Sequence, residues 1–191
     1  LFFVLLILLP GPALAWNWIH AGIDSASGEP GQFISMKADV KGRLHGSYFR
    51  FDGDSEGNRN LKYATNSSIT GSGAWQTVVV DGTASSGSYS SIALTRENVP
   101  HISYYESEFA NLRHAWYDSS AGAWIKETVD SPGTVGQFSA MAVDTTSNTL
   151  YIAYFDASTP GLKVARKAPG GLWTFGFADQ AGAVGLYNSI A

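Results

Sequence analysis

Four landmarks recur along this chain in a fixed order and at a nearly constant interval. A Trp recurs, with the last three copies 49 residues apart, at Trp18, Trp75, Trp124 and Trp173. Six residues after each Trp stands an Asp, at Asp24, Asp81, Asp130 and Asp179. A Gly recurs at Gly31, Gly87, Gly136 and Gly185, and a Leu-basic pair at Leu61-Lys62, Leu112-Arg113 and Leu162-Lys163. We infer an array of equivalent units.

Each unit has the pattern of four short strands. In the best-formed copy they are predicted at residues 90–95, 100–106, 111–117 and 124–129, separated by turns rich in Gly, Asn, Asp and Ser. A period of about 40–50 residues with several strands per repeat is typical of a β-propeller. We therefore predict an all-β fold, a β-propeller fragment of about three and a half four-stranded antiparallel blades forming an open arc. The single Trp per repeat is expected to pack between blades.

The chain divides into a leader and the repeats. Residues 1–15 hold an unbroken apolar run followed by Ala13-Leu14-Ala15, which predicts a signal peptide, with a membrane anchor as the alternative. The predicted parts of the propeller are an orphan outer strand at 16–30, blades at 31–86, 87–135 and 136–184, and the start of another blade at 185–191. Because the last segment matches only the beginning of a repeat, we expect the sequence to be a fragment.

Composition narrows the choice of compartment and partner. The formal net charge is −4 without a basic cluster, which argues against nucleic acid and, after signal cleavage, against a membrane surface. The chain has no Cys, so packing rather than disulfides must hold the fold together. With the predicted signal peptide, this indicates a secreted or cell-surface protein.

The repeat resembles a family of secreted β-propeller repeats of prokaryotic surface proteins. The resemblance rests on Gly87, Tyr89 to Ala93, Pro100 to Tyr105, Leu61 to Ala64, and Trp124 with Asp130. It implies the propeller fold and says little about function. Sialidase-type propellers are similar only distantly, because Asp118 to Trp124 spans six residues where their Asp-box turn spans five.

One rim of the predicted propeller collects aromatic, hydroxyl and carboxylate side chains. Aromatic rings beside polar groups can bind sugars, so these residues are candidates for ligand binding. They are Tyr89, Ser90, Ser91, Glu106, Asp130, Phe138, Asp156 and Asp179. A residue repeated in every blade is more often structural. We therefore favour a role for Asp130 in accepting backbone N–H bonds and for Tyr89 as a wedge between blades.

An insertion in the first repeat resembles the start of a calcium loop. The candidate Ca²⁺ ligands are Asp52, Asp54, Glu56, Asn58 and Asn60, and Gly57 allows a sharp turn. The length of Glu56, the presence of Arg59 and the absence of a closing carboxylate favour the alternative, a solvated acidic hairpin tip.

The histidines do not have the spacing of a metal site. His45 and His101 share one repeat position, which Tyr151 fills in the third copy, so we expect a hydrogen-bonding strand residue there. His20 and His114 do not join them in any ligand spacing.

Three functions remain open. The first hypothesis is a secreted, non-catalytic recognition or adhesion module that binds a glycan or another cell-surface component. The second is a sialidase-like glycoside hydrolase or lyase, which would need a pair of catalytic carboxylates. The third is a structural spacer in a surface protein. The lack of an asymmetric acid–base cluster favours the non-enzymatic readings.

Overall fold

The computed structural model describes residues 4–5, 19–20, 22–24, 29–51, 59–66, 74–83 and 85–191. Two short strands, β1 (Val4–Leu5) and β2 (Ile19–His20), pair with each other. They fall in the segments predicted as signal peptide and orphan strand, and most other residues of those segments lie outside the described part of the chain.

Three four-stranded antiparallel sheets follow, and in each the strands pair in chain order. The first sheet comprises β3 (Glu29–Ala38), β4 (Leu44–Phe51), β5 (Arg59–Asn66) and β6 (Trp75–Asp81). The second comprises β7 (Ser86–Leu94), β8 (Pro100–Glu106), β9 (Asn111–Asp118) and β10 (Ala123–Asp130). The third comprises β11 (Val135–Asp144), β12 (Thr149–Asp156), β13 (Gly161–Lys167) and β14 (Thr174–Asp179).

The predicted strands of the second sheet are present, but its first strand begins earlier than predicted. The prediction placed its start at residue 90, whereas β7 begins at Ser86. Pairing with β8 continues through two register shifts, between Ser86 and Ser88 and between Ser88 and Ser91. A bulged strand of this kind lacks regular alternation of apolar and polar residues, so its first half was not recognised.

The sheets pack face to face with their first strands closest together, since β7 lies between β3 and β11. Ile92, Ile102 and Tyr104 of the second sheet join Leu61 and others from the first sheet in one hydrophobic cluster. A second cluster joins the second and third sheets, and includes Ala93, Leu112, Val135, Ile152 and Tyr154. The fourth strand of the third sheet, β14, is exposed along its whole length.

This arrangement is all-β and propeller-like, with sheets that converge on their first strands and diverge at their fourth. The described residues show three such sheets and no closed ring. Trp124 and Trp173 each pack against one of the two hydrophobic clusters, as the repeat pattern predicts.

The segment 185–191 repeats the local conformation of a sheet's beginning without forming a strand. Gly185 and Tyr187 have positive φ angles of 100° and 55°, like Gly136 and Phe138 at 103° and 54°. No strand pairs with this segment in the part of the chain that the structure describes. The described residues also contain no helix long and apolar enough to span a membrane.

Candidate functional site

The predicted residues Tyr89 and Phe138 form a continuous row across the sheets with two further aromatic residues, Phe33 and Tyr187. Tyr89 lies 4.5 Å from Phe138 and 4.6 Å from Phe33, and Phe138 lies 4.8 Å from Tyr187, measured between ring centroids. All four residues have positive φ, between 51° and 55°. Tyr89 and Phe138 are half-buried between their neighbours, which is the wedge position expected for Tyr89.

The predicted serines are occupied by hydrogen bonds between sheets. Ser90 donates from its hydroxyl to the carbonyl of Phe33 at 2.8 Å, and the hydroxyl of Ser91 accepts the backbone N–H of Met141 at 3.0 Å. Ser35 and Ser139 make the corresponding bonds at the other repeat positions. These hydroxyls therefore join neighbouring first strands.

Three of the repeated Asp residues, Asp24, Asp81 and Asp130, bind side chains of the next sheet, and at Asp130 these contacts replace the backbone N–H bonds that were expected. Asp130 is 2% exposed and accepts the hydroxyl of Tyr154 at 2.7 Å and the ammonium of Lys163 at 2.6 Å. Asp81 accepts Tyr104 at 2.7 Å and Lys126 at 3.0 Å. Asp24 does the same with Tyr48 and Lys62, at 2.8 and 2.6 Å.

The electrostatics of the contact between Asp81 and Tyr104 favour an ionised Asp and a neutral Tyr. Burial raises the pKa of Tyr104, and its hydrogen bond to the Asp81 carboxylate raises it further. Burial would raise the pKa of Asp81, but hydrogen bonds from Tyr104, Thr83 and Lys126 outweigh burial and lower it. An Asp held in this way is a structural acceptor.

The other predicted carboxylates have different surroundings. Glu106 is buried and accepts the backbone N–H of Phe109 at 2.8 Å. Asp156 is buried beside Lys163, 3.3 Å away, and accepts two backbone N–H groups of its own turn. Asp179 is exposed and accepts the N–H of Ala181 at 2.9 Å.

The candidate calcium loop lies almost entirely outside the described residues. Asp52, Asp54, Glu56 and Asn58 are not described, and Asn60 is a buried residue of β5 opposite Arg50. Among the described residues, no three His, Asp or Glu side chains form a group that could hold a metal ion. Calcium binding by this loop stays a prediction.

A polar cluster that was not predicted lies at the opposite end of the second sheet. Nδ1 of His101 on β8 lies 2.9 Å from Nε2 of His114 on β9, and Nδ1 of His114 lies 2.9 Å from Oε1 of Glu127 on β10. As a pair, His114 and His101 were considered only as metal ligands, and this hydrogen bond between them was not predicted. Cross-strand pairing brings residues 13 positions apart into contact, which a search for metal-ligand spacing does not test.

The third sheet completes this cluster. Lys167 of β13 donates to both Glu127 carboxylate oxygens, at 2.7 and 2.8 Å, and the indole N–H of Trp173 donates to Oε1 at 2.8 Å. The Lys167 ammonium also lies 5.6 Å from the ring centroids of both Trp116 and Trp173, a cation–π distance. We call His101, His114, Trp116, Glu127, Lys167 and Trp173 the inter-sheet cluster.

A cleft opens beside this cluster. Its volume is about 520 Å³, and the residues that line it include His101, His114, Trp116, Asn148, Lys167 and the 168–171 turn. Trp116 and His101 are both half-buried. A cleft of this size, with an aromatic face and a few polar groups, has the character of a small-molecule site.

Burial and hydrogen bonds determine the protonation states of the inter-sheet cluster. Burial would raise the pKa of Glu127, but hydrogen bonds from His114, Lys167 and Trp173 lower it to about 2. Burial is the largest cause that lowers the pKa of His101, to about 3, and the charge of Lys167 adds to it; burial also lowers the pKa of His114. At neutral pH the cluster thus holds an ionised Glu, a charged Lys and two neutral imidazoles.

Most of this cluster does not follow the repeat. Glu127 is replaced by Val78 and Gly176 in the other copies, Trp116 by Thr65 and Arg166, and Lys167 by Asn66 and Tyr117. The signal available in the sequence was this departure from the repeat in β9, β10 and β13. A search for recurring residues does not detect positions that differ between the copies.

Comparison with known proteins supports the fold but identifies no family. No protein-family model matches the chain, and comparison with curated proteins gives no significant match. Among solved structures, a protein of unknown function from Dyadobacter fermentans is similar with a TM-score of 0.61 and 11% identity, over 77% of this chain and 41% of that one.

An α-L-arabinofuranosidase of Podospora anserina, solved in complex with cellotriose, is similar with a TM-score of 0.54 and 12% identity. The similarity covers 85% of this chain and 55% of that one. The chain therefore spans about half the length of these solved structures, or less. At such low identity the likeness concerns the all-β, propeller-like architecture.

Proposed function

We propose that the chain is part of a secreted or cell-surface β-propeller that recognises a glycan without catalysing its breakdown. The observation that carries the proposal is the cleft of about 520 Å³ with the half-buried indole of Trp116 beside a charge-compensated polar cluster. Sugar rings present C–H groups that pack on an aromatic face and hydroxyls that bond to polar neighbours. Both kinds of partner line this cleft.

The finer fold is part of the same proposal. The contacts of Asp81 and Asp130 to the following Tyr recur at both junctions between the described sheets, and Asp24 makes the same contact to the first sheet, which supports consecutive blades of a propeller. The Gly-x-aromatic conformation at Gly185 and Tyr187 supports the start of a further blade. About three and a half blades in an open arc account for these features.

The alternative of a glycoside hydrolase finds less support. Such enzymes use two carboxyl groups, about 5–9.5 Å apart, one of which must be able to give up a proton. None of the described residues lining the cleft is an Asp or Glu, and Glu127 behind them has a pKa of about 2, too low for a general acid. Asp130 and Asp156 at the other end are buried around Lys163.

The arabinofuranosidase in complex with cellotriose gives a reason to include plant-type glycans among the ligands tested. It gives no assignment of substrate, because the likeness at 12% identity is one of fold. Glycan binding and product release distinguish glycan recognition from the two alternatives, a hydrolase and a structural spacer.

The test is binding of the protein to a glycan array, with Trp116→Ala as the variant. We expect at least one class of glycan to bind and Trp116→Ala to lower its affinity at least about fivefold, since burial of an indole face contributes about 1 kcal/mol or more. The matched control is Phe109→Ala, which removes an exposed aromatic side chain from the β8–β9 turn, away from the cleft.

Each alternative predicts a different result. Release of new reducing ends from a bound polysaccharide would favour the hydrolase, and release of unsaturated products the lyase. Binding that is equally strong in Trp116→Ala and Phe109→Ala would place the glycan site elsewhere. An array without any bound glycan would favour the structural spacer.

A further inference from the structure

The hydrogen bonds of the inter-sheet cluster determine where its ring protons lie. Glu127 is ionised and can only accept, so the contact with His114 requires a hydrogen on Nδ1 of that imidazole. A neutral imidazole carries one ring hydrogen, and Nε2 of His114 is therefore an acceptor. His101 must then donate from Nδ1.

The ring geometry agrees with this direction. The rings of His101 and His114 are within 10° of parallel, with centroids 5.1 Å apart and nitrogens 2.9 Å apart. These values describe two rings bonded edge to edge in nearly one plane, because rings overlapping face to face would have closer centroids. The N–H of one ring thus points along the lone pair of the other.

The consequence is an acceptor without a partner on a residue that lines the cleft. With its hydrogen on Nδ1, His101 carries a lone pair on Nε2, and that nitrogen has no hydrogen-bond partner among the described residues. His101 also lines the cleft. A ligand that meets Nε2 must present a hydrogen-bond donor, and an O–H group does so at no cost in charge.

The cleft is also electrically balanced. Lys167 is matched by Glu127 through two hydrogen bonds, and His101 and His114 are neutral. At the edge of the cleft, Asn148 donates to the exposed Glu97, which lies next to Arg96 in the sequence. An anionic ligand would have to compete with Glu127 for Lys167, so no charge is left over to favour an acidic or a basic ligand.

We propose that the cleft binds an uncharged sugar residue, with one ligand hydroxyl donating to Nε2 of His101 and the sugar ring lying against the indole of Trp116. This inference rests on the proposed glycan-binding function and names its ligand class. Sulfated and uronic sugars are excluded as preferred ligands. The hydrogen bonds from Glu127 through His114 to His101 keep the ring hydrogen of His101 on Nδ1 and thereby leave Nε2 as the acceptor.

The test uses isothermal titration calorimetry of the protein with two panels of trisaccharides. The neutral panel contains cello-, xylo-, manno- and galactotriose, and the acidic panel contains trigalacturonate and sulfated galactotriose. For the tightest neutral ligand, analogues are then made in which single hydroxyls are replaced by hydrogen or by fluorine. Fluorine can accept a weak hydrogen bond but cannot donate one.

We expect a neutral trisaccharide to bind at least about tenfold more tightly than any acidic one. At one hydroxyl position, the deoxy and deoxyfluoro analogues should both lose about tenfold in affinity, the effect of one buried hydrogen bond. His101→Phe should lose a similar factor with the parent sugar and nothing further with those two analogues. His101→Tyr, which places the residue of the third copy in the same strand position, checks that the fold tolerates the change.

Two results would overturn the inference and leave glycan recognition intact. One is an acidic trisaccharide that binds as tightly as the neutral ones, with binding still lost in Trp116→Ala. The other is a deoxy series in which no position is coupled to His101. Failure of every trisaccharide and every array glycan to bind would overturn the proposed function, and this inference with it.

Discussion

The recurring Asp of this chain is explained by what it accepts from the next sheet. Asp130 has both a Tyr hydroxyl and a Lys ammonium on Oδ2, at 2.7 and 2.6 Å. A buried carboxylate is stable only when its lost hydration is replaced by such donors. At Asp24 and Asp130, the repeated Asp, the Tyr of the second strand and the Lys of the third strand therefore form one structural unit. At Asp81, Lys126 of the fourth strand takes the place of that Lys.

A first prediction at the residue scale follows from Asp130. Asp130→Asn should lower the free energy of unfolding by about 2–3 kcal/mol, because Lys163 would lose its closest counter-charge in a buried setting. Asp179→Asn is the matched control, since it changes the same repeat position where the side chain is exposed, and should cost less than about 0.5 kcal/mol. Urea unfolding followed by Trp fluorescence measures both, and equal losses would contradict the account.

Glu127 gives a second prediction, in the pH dependence of stability. Its pKa of about 2 in the fold lies below the ordinary value of 4.5, so its stabilising contribution is present above about pH 4.5 and lost as pH falls towards 2. The difference in unfolding free energy between the protein and Glu127→Gln should be large at pH 7 and shrink across this interval. A difference that stays constant from pH 7 to pH 2 would show that the Glu127 carboxylate keeps its ordinary pKa.

Residues that recur in every copy could be identified from the sequence, whereas candidate functional residues that occur in only one copy could not. Tyr89 and Asp130 were recognised because each has counterparts in the other copies. Glu127 and Lys167 have none, and they meet only because the third sheet packs on the second. A contact between two repeats made by residues unique to each has no periodic trace in the sequence.

At the scale of the strand, the repeated Gly is required by a close approach between sheets. A Cβ on Gly136 would lie 2.7 Å from Cα of Leu112, and one on Gly87 would lie 2.8 Å from Cα of Leu61. This pairing explains why the Gly and the Leu recur together in the sequence. The first strands of the second and third sheets begin with their backbone in close contact with the third strand of the preceding sheet.

A third prediction compares two glycines that both have positive φ. Gly136→Ala combines a φ of 103° with a backbone clash and should cost about 3 kcal/mol or more. Gly122→Ala has a φ of 63° and no neighbour within 4 Å of the added Cβ, so it should cost only about 1 kcal/mol. Thermal unfolding of the two variants separates backbone strain from the steric effect. Similar costs would mean that the sheets can move apart to admit the methyl group.

The strands themselves were largely predictable, because turn residues and alternation mark their ends. The 100–106 strand was predicted with its observed bounds, Pro100–Glu106. The first strands were not, since the bulge at Gly87 and Tyr89 interrupts alternation while pairing continues. What failed at this scale was the assumption that a strand has a single regular register.

At the scale of the whole molecule, the sheets depend on one another in series. Sheet pairs share their cores, one cluster joining the first and second sheets and another the second and third. The repeat period was sufficient to predict this order, since equal units can bury their apolar faces only against each other. The position of the cleft was not predictable, because it depends on which junction carries the unrepeated residues.

The serial arrangement makes a final prediction about hydrogen exchange. The second sheet is covered on both faces, and its residues Ile102 and Ala115 are fully buried, whereas β14 is exposed throughout. Amides of β8 and β9 should therefore exchange slowest and those of β14 fastest, by one or more orders of magnitude, when exchange is followed by mass spectrometry. Asp130→Asn weakens the contact between the second and third sheets. It should therefore speed amide exchange in both of these sheets more than in the first sheet. Uniform protection, or an effect confined to the third sheet, would mean that the sheets do not stabilise one another through shared cores.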